Sequence, residues 1–206
     1  MDPVLLCCDG SDPSVPPAEE RVRRGAPIEL RDGSRVRIRQ GHRTDRDPLV
    51  QVFEHLSPES RYRRFLTPML ELDDAALRFL TAIDHHDHEA LIALDEAGTG
   101  AVGVARYVRY PERPGVAEVA VTVVDDWQGR GLGTLLLAAI STRAREEGVR
   151  TFTALMLAFN GEMMHLLREL GPVRIVDRAA GTVEVEVALP ALGISPTPTQ
   201  LLRIAA

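Results

Sequence analysis

Val119–Leu137 reads V-A-V-T-V-V-D-D-W-Q-G-R-G-L-G-T-L-L-L, and this stretch decides the fold. It opens with Val119 to Val124, a run in which every residue but Ala120 is β-branched, as is typical of a strand. A glycine-rich segment, Gln128–Gly133, follows the run. Beyond it, apolar residues recur at helical spacing, at Leu132, Leu135, Leu136 and Ala139. The stretch therefore predicts a strand, a glycine loop and a helix, in that order.

This order of elements is suited to binding an anion. The first amides of a helix have no partner within the helix, and the helix dipole places partial positive charge at the same end. Glycines let the backbone approach a phosphate closely. The loop is not a Walker loop, because Gly133-Thr134 lacks the preceding lysine, and its glycines have the wrong spacing for a dinucleotide fingerprint. The pattern Q/R-x-x-G-x-G/A fits Gln128–Gly133 at every position.

In this setting the loop resembles the pyrophosphate loop of the GNAT acetyltransferase superfamily. The resemblance covers about residues 35 to 190 and implies acetyl-CoA as cosubstrate. It also implies an α/β fold, with a mixed, twisted sheet of about six to seven strands flanked by helices. In that fold the sheet splays between the strands at Glu118–Val124 and Thr151–Ala158, and acetyl-pantetheine lies in the gap.

The composition is that of one globular domain. The 206 residues are 45% hydrophobic, and a net charge of -6 gives no indication of nucleic-acid binding. No apolar run approaches the roughly 20 residues that span a bilayer, and the first residues lack the basic start of a secretory signal. We therefore expect a soluble cytoplasmic protein without a membrane partner. Its acetyltransferase domain is expected over 28–190, between a flexible, proline-rich arm at 1–27 and a C-terminal tail at 191–206.

Asp84–His88, D-H-H-D-H, has the composition of a metal site. Five consecutive residues cannot all face one ion, and no histidine or cysteine lies nearby at ligand spacing. We therefore expect a turn before the next strand here, and no bound metal.

Acetyl transfer to an amine needs a group that accepts a proton, because an ammonium nitrogen has no lone pair. Glu118 is the leading candidate, since a carboxylate at the start of an otherwise apolar strand calls for a reason. Strand alternation places it on the side of Ala120 and Thr122. In the bacterial protein lysine acetyltransferases that this chain resembles, an acidic residue precedes the loop glutamine by about ten positions, as Glu118 precedes Gln128. The alternatives are a Glu118 that is merely exposed at the strand edge, or a different base: Asp125, Asp126, His85, His86 or His88.

The resemblance also implies which residues hold acetyl-CoA. The backbone of Val121, Thr122 and Val123 would pair with pantetheine like an added strand and direct one amide at the thioester oxygen. The pyrophosphate would lie on the loop and helix start, formed by Gln128, Gly129, Arg130, Gly131, Leu132, Gly133 and Thr134. Asn160 matches an asparagine that contacts the cofactor, and it equally fits an N-cap of the next helix. Many relatives carry a tyrosine seven residues later that protonates the departing thiolate. Leu167 stands at that position here, so the thiolate leaves unaided or with help from His165 or water.

A second segment bears on the acceptor. Leu56–Phe65, L-S-P-E-S-R-Y-R-R-F, resembles the L-S-P-E-S-x-x-x-R-F segment of bacterial enzymes that acetylate lysines of metabolic proteins such as acyl-CoA synthetases. Arg61, Arg63 and Arg64 within it are candidates to meet an acidic substrate face or the cofactor's phosphates, and the alternative is a helix face that only contacts solvent. Residues 1–34 are too few for the regulatory module often fused to such enzymes, so we expect no allosteric control through a module in that segment. The alternatives are acetylation of a small amine (an aminoglycoside, polyamine or amino acid) and a coenzyme A sensor without turnover. The sequence is compatible with a monomer or a homodimer.

Overall fold

The computed structural model describes residues 25–190, which form an eight-stranded mixed sheet and five helices. The strands are β1 (Pro27–Glu29), β2 (Arg35–Gln40), β3 (His88–Asp95), β4 (Ala101–Tyr110), β5 (Arg113–Val123), β6 (Thr151–Leu157), β7 (Val173–Ala179) and β8 (Thr182–Ala188). The helices are α1 (Arg46–Glu54), α2 (Pro58–Phe65), α3 (Asp74–Thr81), α4 (Leu132–Glu146) and α5 (Gly161–Leu170). The predicted tail at 191–206 and all but the last three residues of the predicted arm lie outside the described residues.

The sheet has the order β1-β2-β3-β4-β5-β6-β8-β7, and only β5 and β6 run parallel. Those two strands pair at three positions, where Val116–Glu118 meets Thr151–Thr153. Beyond Glu118 they separate, while β5 continues its pairing with β4 and β6 continues its pairing with β8. The sheet is therefore splayed at its centre with each half intact, and the predicted splay is confirmed.

Helices cover both faces of the sheet. Helices α1, α2 and α3 lie on one face, where α1 packs on β4 and on α3. On the other face α4 crosses β3, β4 and β5, and α5 packs against β8 and α4. Large side chains that are fully buried form the core between these layers: Ile38, Leu91, Ile92, Tyr107, Leu136, Ile140 and Phe152. The splay thus opens beside a well-packed core.

Two details differ from the sequence prediction. The sheet has eight strands instead of six to seven, and the smallest of them is the three-residue β1. Strand β5 begins at Arg113, five residues before the strand that the resemblance implies at Glu118–Val124. Proline is tolerated there because β5 does not pair with β6 until Val116, so the missing amide of Pro114 removes no bond on that side.

Candidate active site

A cleft of about 590 Å³ opens where β5 and β6 separate. One wall is Glu118–Val123 of β5, and the other is Ala154–Met156 of β6. Helices α2 and α5 flank its mouth, where the Arg63 guanidinium lies 3.2 Å from the Glu162 carboxylate. The cleft therefore runs along two strand edges that no neighbouring strand covers in the described chain.

Glu118 sits at the fork of the splay. It is the last residue of β5 that pairs with β6, where it lies opposite Thr153. Its side chain is exposed and lines the cleft. The Glu118 carboxylate therefore lies at the end of the cleft and is open to solvent.

Backbone groups of β5 face the cleft beyond that fork. The amide of Val124 donates to Val102 of β4 at 3.1 Å. The N–H and C=O groups of one residue point to the same side of a strand, and those of the next residue point to the other side. The N–H and C=O groups of Val121 and Val123 therefore point away from β4, into the cleft. The carbonyl of Val123 accepts a bond from the Gln128 side-chain amide at 3.0 Å. Gln128 thus braces the glycine loop against the strand end, and Val121 keeps the geometry of an unpaired edge.

The glycine loop delivers the amide end of α4 to the cleft. Gly129 and Gly131 adopt φ angles of +73° and +88°, which residues with a side chain seldom tolerate. The first bond of the helix runs from the Leu135 amide to the Gly131 carbonyl, at 3.1 Å. The amides from Gly131 to Thr134 precede that bond and have no partner within the helix. Gly133 has a packing role as well, since a Cβ there would lie 3.3 Å from Leu166 of α5.

Arg130 and Leu132 are placed differently from the other loop residues. The Arg130 guanidinium lies 2.9 Å from the Asp32 carboxylate and donates to the Asp126 carbonyl, with its Cζ 4.8 Å from the centre of the Trp127 ring. The Leu132 side chain is fully buried. Neither side chain lines the cleft. Only the backbone of these two residues belongs to the loop surface.

Helix α2 is held at the cleft by Asp125. The Asp125 carboxylate accepts bonds from the Ser57 amide (2.8 Å), the Ser57 hydroxyl (2.9 Å) and the Ser60 hydroxyl (2.8 Å). Partial burial alone would raise the pKa of Asp125, but the bonds from the two serines outweigh it and lower the pKa. The Asp125 carboxylate therefore connects α2 to the end of β5. Because it already accepts three hydrogen bonds and its pKa is lowered, it is poorly suited to act as a base.

The three arginines of α2 have three different environments. Arg61 donates to carbonyls at the end of α1 and lies over the Phe53 ring, 4.3 Å from its centre. Arg63 pairs with Glu59 of the same helix and with Glu162 across the cleft mouth. Arg64 enters the cleft beneath them.

The Arg64 side chain donates through Nε to the Thr122 hydroxyl at 3.1 Å. Burial lowers the pKa of Arg64, while the charge of Glu118 acts in the opposite direction. Arg106 lies behind it, and burial together with the charge of Arg64 lowers the pKa of Arg106 to about 9. Arg64 is therefore the cation that approaches the predicted base from the α2 side.

Helix α5 forms the opposite rim. The Asn160 side chain accepts a bond from the Met163 amide at 3.1 Å, which is the predicted N-cap, and Asn160 also lines the cleft. Leu167 is fully buried and faces the core instead of the cleft. His165 lines the cleft, with Nε2 3.2 Å from a carboxylate oxygen of Glu169.

A family model described as the acetyltransferase (GNAT) family matches residues 49–171. The chain belongs to the GNAT family of acetyltransferases. Acetyltransferase Pat of Mycolicibacterium smegmatis is 31% identical over 176 residues, which is 85% of this chain but only 52% of Pat, so the chain spans about half of that relative. An acetyltransferase of Pseudomonas aeruginosa is 36% identical over 144 residues, 69% of this chain and 77% of the relative.

A solved structure gives the same assignment. The GNAT domain of S. lividans PAT superimposes with a TM-score of 0.72 at 32% identity, covering 80% of this chain and 96% of that domain. The predicted family, its acyltransferase class and acetyl-CoA as its cosubstrate are confirmed for this GNAT domain.

The GNAT cleft has the features that acetyl-CoA requires. At Gly129 no atom lies within 4 Å of the position that a Cβ would take, so the loop surface is open to a bulky phosphate. The free amides of Gly131–Thr134 supply donors for a diphosphate. The unpaired edge at Val121 supplies a partner for an amide-containing chain. These residues fit the diphosphate and the amide-containing pantetheine arm of the cosubstrate.

The histidines of Asp84–His88 lie outside the cleft of this GNAT domain. The Asp84 carboxylate accepts bonds from the amides of His86, Asp87 and His88, which forms the predicted turn before β3. Within residues 25–190 no group of three or more His, Cys, Asp or Glu side chains is arranged to hold a metal. Over the same residues, no helix is long and apolar enough to cross a membrane.

The sequence predicts one further part of the cleft lining incompletely and another not at all. Arg31, in the β1–β2 turn, lines the cleft although it lies almost a hundred residues before the glycine loop. Ser60, Arg63 and Arg64 all line the cleft, and their i, i+3, i+4 spacing was a signal that they share one helix face. No comparable signal in the sequence points to Arg31.

Proposed function

We propose that this chain is an acetyl-CoA-dependent N-acetyltransferase that modifies lysine side chains of proteins, with Glu118 as the general base. The observation that carries the proposal is the position of Glu118, at the point where β5 and β6 separate and at the end of a cleft that fits acetyl-CoA. The protein acceptor is supported by the resemblance of Leu56–Phe65 to the corresponding segment of bacterial lysine acetyltransferases, and by the similarity to Pat.

Each part of the cleft has one task in this proposal. The amides of Gly131–Thr134 bind the diphosphate, and the edge of β5 at Val121 orients the pantetheine arm. The Glu118 carboxylate accepts the proton that the acceptor ammonium loses, which frees the nitrogen lone pair. Acetyl-CoA supplies the acetyl group: its C–S bond breaks as the C–N bond forms, coenzyme A leaves as the thiolate, and the second proton that the nitrogen loses passes to solvent.

The role of Glu118 is tested by Glu118→Gln, which keeps the shape of the side chain but removes the base. We expect turnover to fall by at least tenfold, and by up to about a thousandfold, while the dissociation constant of acetyl-CoA changes little. Glu112→Gln is the matched control, because Glu112 is an exposed carboxylate in the turn before β5. Full turnover by Glu118→Gln at neutral pH would remove Glu118 from the mechanism.

The acceptor is tested by release of coenzyme A thiol with a panel of proteins and small amines. We expect acyl-CoA synthetases to be acetylated on lysine, which mass spectrometry of the modified protein locates. Thiol release with an aminoglycoside, polyamine or amino acid, but with no protein, would replace the lysine assignment with a small-molecule one. Binding of acetyl-CoA without thiol release from any of them would favour the sensor alternative.

A further inference from the structure

The cleft contains a cation that the family pattern does not assign, Arg31 of the β1–β2 turn. Three arginines line the cleft in the described chain, and two of them, Arg63 and Arg64, belong to α2. Arg31 alone comes from the side of the glycine loop.

The β1–β2 turn is built to hold its shape. The Leu30 amide donates to the Ser34 carbonyl at 2.8 Å, and the Gly33 amide donates to the Leu30 carbonyl at 3.1 Å. Gly33 adopts a φ of +84°, as a tight turn requires. The Asp32 carboxylate accepts bonds from the amide and the hydroxyl of Ser34. The turn therefore presents Arg31 from a defined backbone.

Two contacts fasten this turn to the glycine loop. The Arg31 amide donates to the Arg130 carbonyl at 3.4 Å, and the Arg130 guanidinium pairs with Asp32 at 2.9 Å. Arg130, the cation that the sequence predicts for the cofactor, is thus used as an anchor. The turn that it anchors brings a different arginine to the cleft beside Gly129.

The charges of the cleft indicate what Arg31 binds. Acetyl-CoA carries a diphosphate and a 3′-phosphate on its ribose, and a phosphomonoester has about -1.5 to -2 charges at neutral pH. The amides of α4 account for the diphosphate but supply no charge of their own beyond the helix dipole. Glu169 also lies at this end, where it accepts a bond from the Thr134 hydroxyl at 3.1 Å and adds negative charge. A guanidinium beside this loop can bind a second phosphate with two parallel hydrogen bonds and offset the negative charge of Glu169.

We propose that Arg31 binds the 3′-phosphate of coenzyme A and so lets the enzyme distinguish coenzyme A from 3′-dephospho-coenzyme A. The proposal rests on the proposed placement of the cosubstrate in the cleft. It does not depend on Glu118 or on the identity of the acceptor, since it concerns binding alone.

The test is the dissociation constant of coenzyme A and of 3′-dephospho-coenzyme A, measured by titration calorimetry on the full chain and its variants. The unmodified protein should bind coenzyme A about tenfold more tightly than the dephospho form. This factor is at the low end of what a charge-assisted hydrogen bond contributes, because Arg31 is exposed to solvent. Arg31→Gln should weaken the binding of coenzyme A about tenfold, leave the binding of the dephospho form unchanged and abolish the preference. Arg31→Lys should retain part of the preference for coenzyme A over the dephospho form.

Arg35→Gln is the matched control, because Arg35 is an exposed arginine on the adjoining strand and does not line the cleft. It should behave like the unmodified protein, and none of the three variants should change the melting temperature. Equal weakening of both ligands by Arg31→Gln would overturn the assignment to the 3′-phosphate, and no weakening of either would remove Arg31 from the site. Gly131→Ala tests separately whether coenzyme A binds in the cleft at all. It should weaken the binding of both ligands whether or not Arg31 takes part, so unchanged binding by Gly131→Ala would contradict the placement of the cosubstrate instead of the role of Arg31.

Discussion

Replacement of His88 should remove a large part of the pH dependence of stability. The His88 side chain is 6% exposed, and its Nε2 lies 3.1 Å from the buried guanidinium of Arg106. Burial, and next the charge of Arg106, lower the pKa of His88 to about 4, against the smaller opposing effects of Asp84 and Glu89. The ordinary value of 6.5 applies to the unfolded chain.

The sign of the effect follows from which state binds the proton. As the pH falls below 6.5 the unfolded chain takes up a proton at His88, but the folded protein does not until about pH 4. The folded state therefore loses stability across this window. The loss is about 2 kcal/mol at pH 5, and about 3 kcal/mol once the pH falls below the folded value.

Urea unfolding at pH 7.5 and pH 5.0 measures this loss directly. His88→Gln keeps an acceptor for Arg106 but does not titrate, so it should lose about 2 kcal/mol less between the two pH values than the unmodified protein. His55→Gln, at an exposed histidine after α1, should keep the original difference. If His88→Gln and the unmodified protein lose the same free energy of unfolding, the argument from burial is wrong.

Three further substitutions probe the cleft. Asp125→Ala removes the acceptor of three hydrogen bonds that hold α2, so it should lower the free energy of unfolding by about 2–3 kcal/mol in urea titrations and raise the KM for acetyl-CoA. The control Asp126→Ala should have a free energy of unfolding within about 0.5 kcal/mol of that of the unmodified protein. Gly131→Ala forces a side chain into a left-handed conformation, which should cost about 1–2 kcal/mol and raise the KM in initial-rate measurements with little change in kcat. Arg64→Gln removes the cation beside the proposed base, so kcat should fall about tenfold or more, whereas Thr122→Val, which removes only the hydroxyl that Arg64 contacts, should have a smaller effect. Equal kcat values for Arg64→Gln and the unmodified enzyme would show that Arg64 only packs.

Local patterns were enough to predict the centre of the fold. The β-branched run, the glycine loop and the leucine periodicity of Val119–Leu137 predicted β5, the loop and α4 to within a residue at most ends. These elements are determined by neighbours in the sequence, because strand propensity, glycine conformation and helical spacing are all local properties. The beginning of β5 was the exception, since pairing with β4 carries the strand through Pro114 and Gly115.

Contacts between distant segments were the part that the sequence did not disclose. Asp125 was a candidate base until the structure placed Ser57 and Ser60 on its carboxylate. Arg130 was a candidate phosphate ligand, but Asp32 competes for its guanidinium. In both cases the residue type fits the predicted role, and a partner from far along the chain decides what the side chain does instead.

The central claim is that acetyl-CoA lies in the splay, with its diphosphate on the start of α4 and its thioester beside the fork at Glu118. A crystal structure of the full chain with acetyl-CoA tests this most directly. We predict phosphate oxygens within hydrogen-bond distance of the amides of Gly131–Thr134, and the acetyl group between β5 and β6 next to Glu118. Cosubstrate bound at any other surface, or a splay closed by pairing of β5 with β6 beyond Glu118, would contradict the account.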